Sequence, residues 1–167
     1  MYRIGIDLGG TNIAVGVVDS GYHLISEASV PAGAGRPAEQ VVADMCRAVE
    51  LALDKAGLTA RDCASIGVGA PGTCDPQRGV VVCAYNLGWF DVPVCRMLTE
   101  HFGLPARLSN DANCAAIGEY WAGAAKDCDP AVVVTLGTGI GGGLVVGGKL
   151  YTGFAQSGLE VGHMIIR

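Results

Sequence analysis

Glycine clusters at the ends of apolar runs set the terms on which this chain can fold. They stand at Gly9-Gly10, Gly67-Gly69-Gly72, Gly137-Gly139-Gly141-Gly142-Gly143 and Gly147-Gly148, each closing or joining β-branched segments. Glycine at such a point permits positive φ and lets the backbone approach a ligand closely. The 26 glycines among 167 residues therefore punctuate strands and are not spread as a linker. Half of the residues are hydrophobic and 16% are charged, against about a quarter charged in ordinary soluble domains. That composition excludes intrinsic disorder.

The net charge of −5 argues against a nucleic-acid partner or an anionic membrane surface. No apolar run reaches the roughly 18–20 residues that span a bilayer. Met1-Tyr2-Arg3 leads straight into a strand-like segment without a leader-type apolar region. The expectation is a cytoplasmic protein. The seven cysteines (Cys46, Cys63, Cys74, Cys83, Cys95, Cys114 and Cys128) are irregularly spaced and form no CxxC. This excludes a zinc ribbon or dithiol motif and reads as buried filler in a reducing compartment.

Along the chain, Tyr2–Leu8, 13–19 and 23–30 read as an antiparallel meander, with Ser20-Gly21 as a tight turn. A Pro/Gly-rich stretch at 31–37 precedes a helix over 39–55, where Val42, Met45, Val49, Ala52 and Leu53 recur at helical steps and Gly57 is the stop. A strand at 65–70, a brief apolar run at 80–83, a helix at 92–102, a strand at 106–109 and an Ala-rich helix at 112–125 follow. Strands at Ala131–Leu136 and 144–146 flank the largest glycine cluster, and another begins at 164–166. The pattern is a mixed α/β sheet. Two segments also repeat a strand, a Gly/Thr turn, a strand, a turn and a strand, one opening at Ile6 and the other at Thr135. A protein of two related halves would give that pattern. The predicted organisation is a first domain at 1–125 and the incomplete start of a second at 126–167.

Four constellations carry candidate chemistry. In Asp7-Leu8-Gly9-Gly10-Thr11-Asn12, a Gly/Thr hairpin offers successive N–H groups to an anion, and Asp7 stands where hydrated Mg²⁺ would sit beside phosphates; a plain tight hairpin is the alternative. Leu136 to Gly143 has the same chemistry, with a glycine bulge as its alternative. Two such nests facing each other would clamp a triphosphate. Ser109-Asn110-Asp111-Ala112-Asn113 crowds polar residues at a strand-to-helix junction, where one cap would suffice. Glu160-Val161-Gly162-His163 offers a carboxylate and an imidazole to a polar ligand or metal, or is a solvated surface pair. The loop Asn86-Leu87-Gly88-Trp89 places an aromatic where it would wall a sugar or cover a domain edge.

Together these motifs resemble the ROK family of sugar kinases and related repressors, within the actin/hexokinase/Hsp70-like ATPase superfamily. The matching segments are DLGGTN at Asp7 to Asn12, GAPG at Gly69 to Gly72, NLGW at Asn86 to Trp89, NDANCAAIGE at Asn110 to Glu119, LGTGIGGG at Leu136 to Gly143 and EVGH at Glu160 to His163. The resemblance implies an actin-like ATPase (ribonuclease H-like) domain with a mixed five-stranded sheet, followed by the beginning of a second related domain. It implies ATP and Mg²⁺ as cofactors. Asp7, Gly9, Gly10, Thr11 and Asn12 would form one phosphate loop, with Asp7 near Mg²⁺, and Gly137, Thr138 and Gly139 the other. Asp111 would be the catalytic base, and Asn86, Asn110, Asp111, Glu160 and His163 the sugar site. His163 would be one ligand of a structural Zn²⁺ whose cysteine ligands lie beyond this chain. The implied protein is a homodimeric hexokinase, with glucose the first substrate and N-acetylated hexosamines or fructose close behind. A sugar-sensing repressor is the alternative, and the strand beginning at Tyr2 leaves no room for its helix-turn-helix. A truncated, inactive form is a further expectation.

Overall fold

Alternation along strand β1 (Tyr2–Leu8) buries Ile4, Ile6 and Leu8 on one face and leaves Arg3, Gly5 and Asp7 on the other. The structure, a computed structural model, describes every residue except Ala34, Thr138, Ala155, Ser157, Ile166 and Arg167. The chain divides into two units, Met1–Ser109 and Asn110–Arg167. After β1 the first unit continues with β2 (Asn12–Val18), β3 (Leu24–Pro31), helix α1 (Ala38–Ala56) and β4 (Cys63–Ala70). Three short strands follow: β5 (Thr73–Asp75), β6 (Val80–Ala84) and β7 (Trp89–Val92). Helix α2 (Val94–Phe102) and strand β8 (Ala106–Asn110) lead to the second unit. There, helix α3 (Asp111–Ala122) precedes β9 (Ala131–Leu136), β10 (Ile140–Val146), β11 (Lys149–Tyr151) and a 3₁₀ turn at Val161–His163.

The main sheet is mixed and five-stranded, in the order β3-β2-β1-β4-β8. Strands β1, β2 and β3 are mutually antiparallel, while β1 pairs in parallel with β4. Its buried face carries Ile4, Ile6, Leu8, Ile13, Val15 and Val17, together with Ile66 and Val68. Helix α1 packs there, burying Val42, Met45, Val49, Ala52 and Leu53 as its spacing predicts. Edge strand β3 is tied to the last turn of α1. Ser26 Oγ donates to the Ala52 carbonyl at 2.6 Å, and Lys55 Nζ donates to the Glu27 carbonyl at 2.8 Å. Gly57, at φ 65°, ends the helix. At the start of α1, Arg36 Nη1 pairs with Asp44 Oδ2 at 2.6 Å and donates to the Ala32 carbonyl at 3.2 Å, which holds the Pro/Gly-rich stretch against the helix.

The second sheet of this unit, in the order β5-β6-β7, corrects two expectations. The apolar run at Val80 is the middle strand of a meander, and Val92 ends β7 and does not begin a helix. Strands of three and four residues are too short to show a period, and Pro93 separates Val92 from α2. Gly72 makes the turn into β5 possible. Its φ is 78°, and a Cβ there would run into the Cys83 carbonyl oxygen, so no other residue fits.

The second unit repeats the opening meander, with strands in the order β11-β10-β9 against β3-β2-β1. Helix α3, expected with the first domain, packs on β9 and β10 through Ala116, Ala131 and Val145, with Ile117, Tyr120 and Val133 around them. Of the strand expected at 164–166, the described residues Met164 and Ile165 take no strand conformation. Val161–His163 is a single 3₁₀ turn, and Met164 and Ile165 pair with no strand among the described residues; Ile166 lies outside them. All seven cysteines are free. Cys46, Cys63, Cys74 and Cys95 are buried as expected, but Cys83 and Cys114 are partly exposed and Cys128 is exposed. No helix among the described residues is long and apolar enough to cross a membrane.

Two outcomes follow from this packing. Met45→Ala, at a fully buried position of α1, is expected to lower unfolding free energy by about 2–5 kcal/mol, read from a urea midpoint. Burial pushes the Cys46 and Cys95 thiols up to about 11. At pH 8 a thiol reagent should therefore modify Cys128 promptly and these two only after denaturation.

Candidate functional site

The candidate site residues of the first unit stand on the hairpin between β1 and β2. Leu8 pairs with Ile13, and the Gly9 N–H donates to the Asn12 carbonyl at 2.9 Å. The Ala32 N–H donates to the Thr11 carbonyl at 2.8 Å, anchoring the tip to the end of β3. Carbonyls of Thr11 and Asn12 are thus engaged. Among the described residues nothing accepts from the N–H groups of Gly10 and Thr11. Such a tip is an anion nest. Asp7 lies at the end of β1 on the exposed face, between Ala14 of β2 and Gly69 of β4 in register. Those small neighbours leave room around its carboxylate. The turn after β6 brings Asn86 to the same hairpin, where a Cβ on Gly10 would stand 3.4 Å from Asn86 Nδ2.

Trp89 corrects one expectation. It is 2% exposed and belongs to the core, with its indole N–H unpaired among the described residues, so it walls no ligand. The exposed rings of this loop are Tyr85 and Phe90, at 86% and 61%. They belong to no sequence motif, and only their exposure in the folded chain marks them.

The candidate site residues of the second unit gather around the N-terminus of α3. Asn110 is its cap, and Oδ1 accepts from Ala112 N at 3.0 Å and Asn113 N at 3.2 Å. Asp111 is the first helical residue and half-buried, its Oδ1 accepting from Ala112 N at 2.8 Å. With Asn110 already capping the helix, the Asp111 carboxylate is the one acidic group in the first turn of α3 and is not needed as its cap. The helix lies unusually close to β10. A Cβ on Gly141 would be 2.8 Å from the Ala112 Cβ, and one on Gly143 would overlap the Ala116 Cβ. Gly141, Gly142 and Gly143, read from the sequence as part of a phosphate loop, are strand residues. They are small because a helix and the 159–161 segment press on them. The hairpin itself is shorter: Leu136 pairs with Ile140, and the Gly137 N–H donates to the Gly139 carbonyl at 2.9 Å. Gly137 and Gly139 are exposed, and Thr138 lies outside the described residues.

Glu160 and His163 meet across the 3₁₀ turn, with Glu160 Oε2 3.9 Å from His163 Nε2 and both side chains exposed. Such a pair contributes little to stability. His163 is the one zinc ligand that the sequence points to in this chain, a structural site taking four Cys or His ligands; among the described residues no cluster of three His, Cys, Asp or Glu groups exists.

A glycine hairpin on an actin-like meander in each unit, with an Asn-capped helix following the five-stranded sheet in the chain, defines the class. The profile of the ROK family matches residues 3–167, and the chain belongs to that family. The chain is similar to a ROK family glucokinase from Streptomyces griseus solved with glucose and AMPPNP, at 38% identity and a TM-score of 0.90, over all of this chain and 51% of that one. It is 38% identical to a glucokinase of Streptomyces coelicolor over 96% of this chain and 49% of the relative. A putative xylose repressor of a Caldicellulosiruptor species is 37% identical over 98% of this chain and 41% of the relative. The chain thus spans about half the length of the curated relatives it matches.

The glycines are expected to separate by role. Gly139→Ala meets open space and should shift the unfolding midpoint negligibly. Gly143→Val should destabilise the second unit by about 1–3 kcal/mol or more through overpacking, seen as early loss of helical circular dichroism on heating.

Proposed function

We propose that this chain forms the phosphate- and sugar-binding part of an ATP-dependent hexose kinase. The proposed reaction converts glucose to glucose 6-phosphate, with N-acetylmannosamine, N-acetylglucosamine or fructose as alternative acceptors. The observation that carries this reading is Asp111, a half-buried carboxylate at the head of α3 whose capping duty is already met by Asn110. In the reaction the sugar hydroxyl loses its proton to Asp111 as its oxygen attacks the γ-phosphorus, and ADP leaves. Phosphoryl transfer depends on positioning and charge stabilisation. Gly9, Gly10, Thr11 and Asn12 bind phosphate at the first hairpin, and Gly137, Thr138 and Gly139 at the second. Asp7 is an oxygen ligand suited to hydrated Mg²⁺, which neutralises phosphate charge when bound. Asn86, Asn110, Glu160 and His163 hold sugar hydroxyls, and the exposed Glu160–His163 pair suits a hydroxyl better than a metal.

The relatives named as glucokinases support this reading. The nearly equal likeness to a putative xylose repressor supports a second, a sugar-responsive regulator that binds hexose without turning it over. Both Gly/Thr hairpin motifs and Asp111 are present in this chain, which favours the kinase. We place the kinase in the cytoplasm, at the entry of hexose into glycolysis and as a homodimer; the seven free cysteines suit a reducing compartment.

Coupled measurement of ADP release with glucose, fructose and the two N-acetylhexosamines tests both readings, and hexose binding without ADP release identifies the regulator. Asp111→Asn is expected to lower kcat by about 10²–10⁴-fold while the hexose KM stays within a few-fold. Wild-type turnover in that variant would remove Asp111 from the role.

A further inference from the structure

Two aromatic rings stand in water beside the first hairpin. Tyr85 is 86% exposed and Phe90 61%. Their centroids are 5.9 Å apart with planes at 81°, an edge-to-face pair. Phe90 belongs to β7 and Tyr85 to the turn that follows β6. Phe90 lies opposite Cys83 in the β6–β7 register, and the Cys83 thiol hydrogen-bonds the Tyr85 side chain, raising the tyrosine pKa. On the other face of the same hairpin, Ala84 and Trp89 are buried. Exposed rings fixed in one geometry are a prepared apolar surface, because they give up little conformational freedom when something covers them.

The loop that joins these rings also carries Asn86, the residue whose amide lies next to Gly10. Leu87 N donates to the Ala84 carbonyl at 3.1 Å and Gly88 N to the Tyr85 carbonyl at 3.2 Å. These two bonds close the turn that carries Tyr85 and Asn86 into β7. An apolar ring surface with a polar amide at its margin matches a pyranose, which has a C–H face and a hydroxylated rim. We infer that Tyr85 and Phe90 form the acceptor platform, one ring stacking on the C–H face of a hexopyranose and the other, nearly perpendicular to it, closing the sugar's edge, with the hydroxyls reaching Asn86. The inference rests on the sugar-kinase reading and deepens it. It assigns to Tyr85 and Phe90 the walling role that the buried Trp89 cannot fill, and it favours sugars with an unbroken C–H face, glucopyranose first among them. The two rings position the acceptor and take no part in proton transfer.

Saturation-transfer NMR and calorimetry on the 167-residue chain, with glucose and separately with AMPPNP, test this. Irradiating the aromatic protons of the wild type should transfer saturation to glucose C–H protons. Tyr85→Ala/Phe90→Ala should abolish that transfer and weaken glucose binding roughly tenfold, with AMPPNP affinity unchanged. Both side chains are exposed, so the double variant should unfold at the wild-type temperature. Phe90→Tyr should retain glucose affinity and Phe90→Leu should not, a contrast that tests the ring itself. If the wild type binds glucose and the double variant binds it equally well, the platform is overturned and the kinase reading stands. If the wild type binds no hexose, the sugar-kinase reading falls and the platform falls with it.

Discussion

Close approach of backbone to backbone, without side chains between, is the constraint on which the second unit depends. Helix α3 rests on β10 through Ala112 and Ala116 against Gly141 and Gly143. Packing of that kind gains contact area from main-chain atoms and leaves almost no freedom for the helix to slide. Its consequence is chemical. The N-terminal turn of α3 carries Asn110 and Asp111, so the fit that fixes the helix also fixes the carboxylate relative to the hairpin at Gly137 and Gly139.

In the first unit the comparable anchor is β1. It is antiparallel to β2 and parallel to β4, and its alternation sends Ile4, Ile6 and Leu8 into the core while Asp7 faces the opposite way. A shift of register by one residue would exchange these faces. Burial of three large aliphatic side chains therefore orients the one acidic residue of the strand. Core and site are here two faces of a single strand.

Much of the fold was legible. The β1 strand, the helix at α1, the meander at the chain start and its repeat from Thr135 all carry strong hydrophobic periods or glycine punctuation. The short strands β5 and β7 were not, since three or four residues cannot display a period and their pairing is decided by Gly72 and Pro93. The candidate site divided in the same way. Asp7, the Gly9–Gly10 hairpin and the Asn110–Asp111 junction are local motifs and stand where motif logic puts them. Trp89 was offered two roles by the sequence, and only burial separated them. Tyr85 and Phe90 belong to no motif, so nothing drew attention to them before their exposure was known.

The sequence by itself determined the alternation that makes β1 two-faced, the glycine turns that close both meanders, and the capping chemistry at Asn110. These are properties of a few neighbouring residues and their allowed backbone angles. Tertiary structure alone decided that Gly141 and Gly143 serve a helix and not a phosphate, that α3 belongs with the second sheet, and which rings of the NLGW loop meet water. Each of these turns on what a residue distant in the chain places against it, and only the folded packing supplies that neighbour.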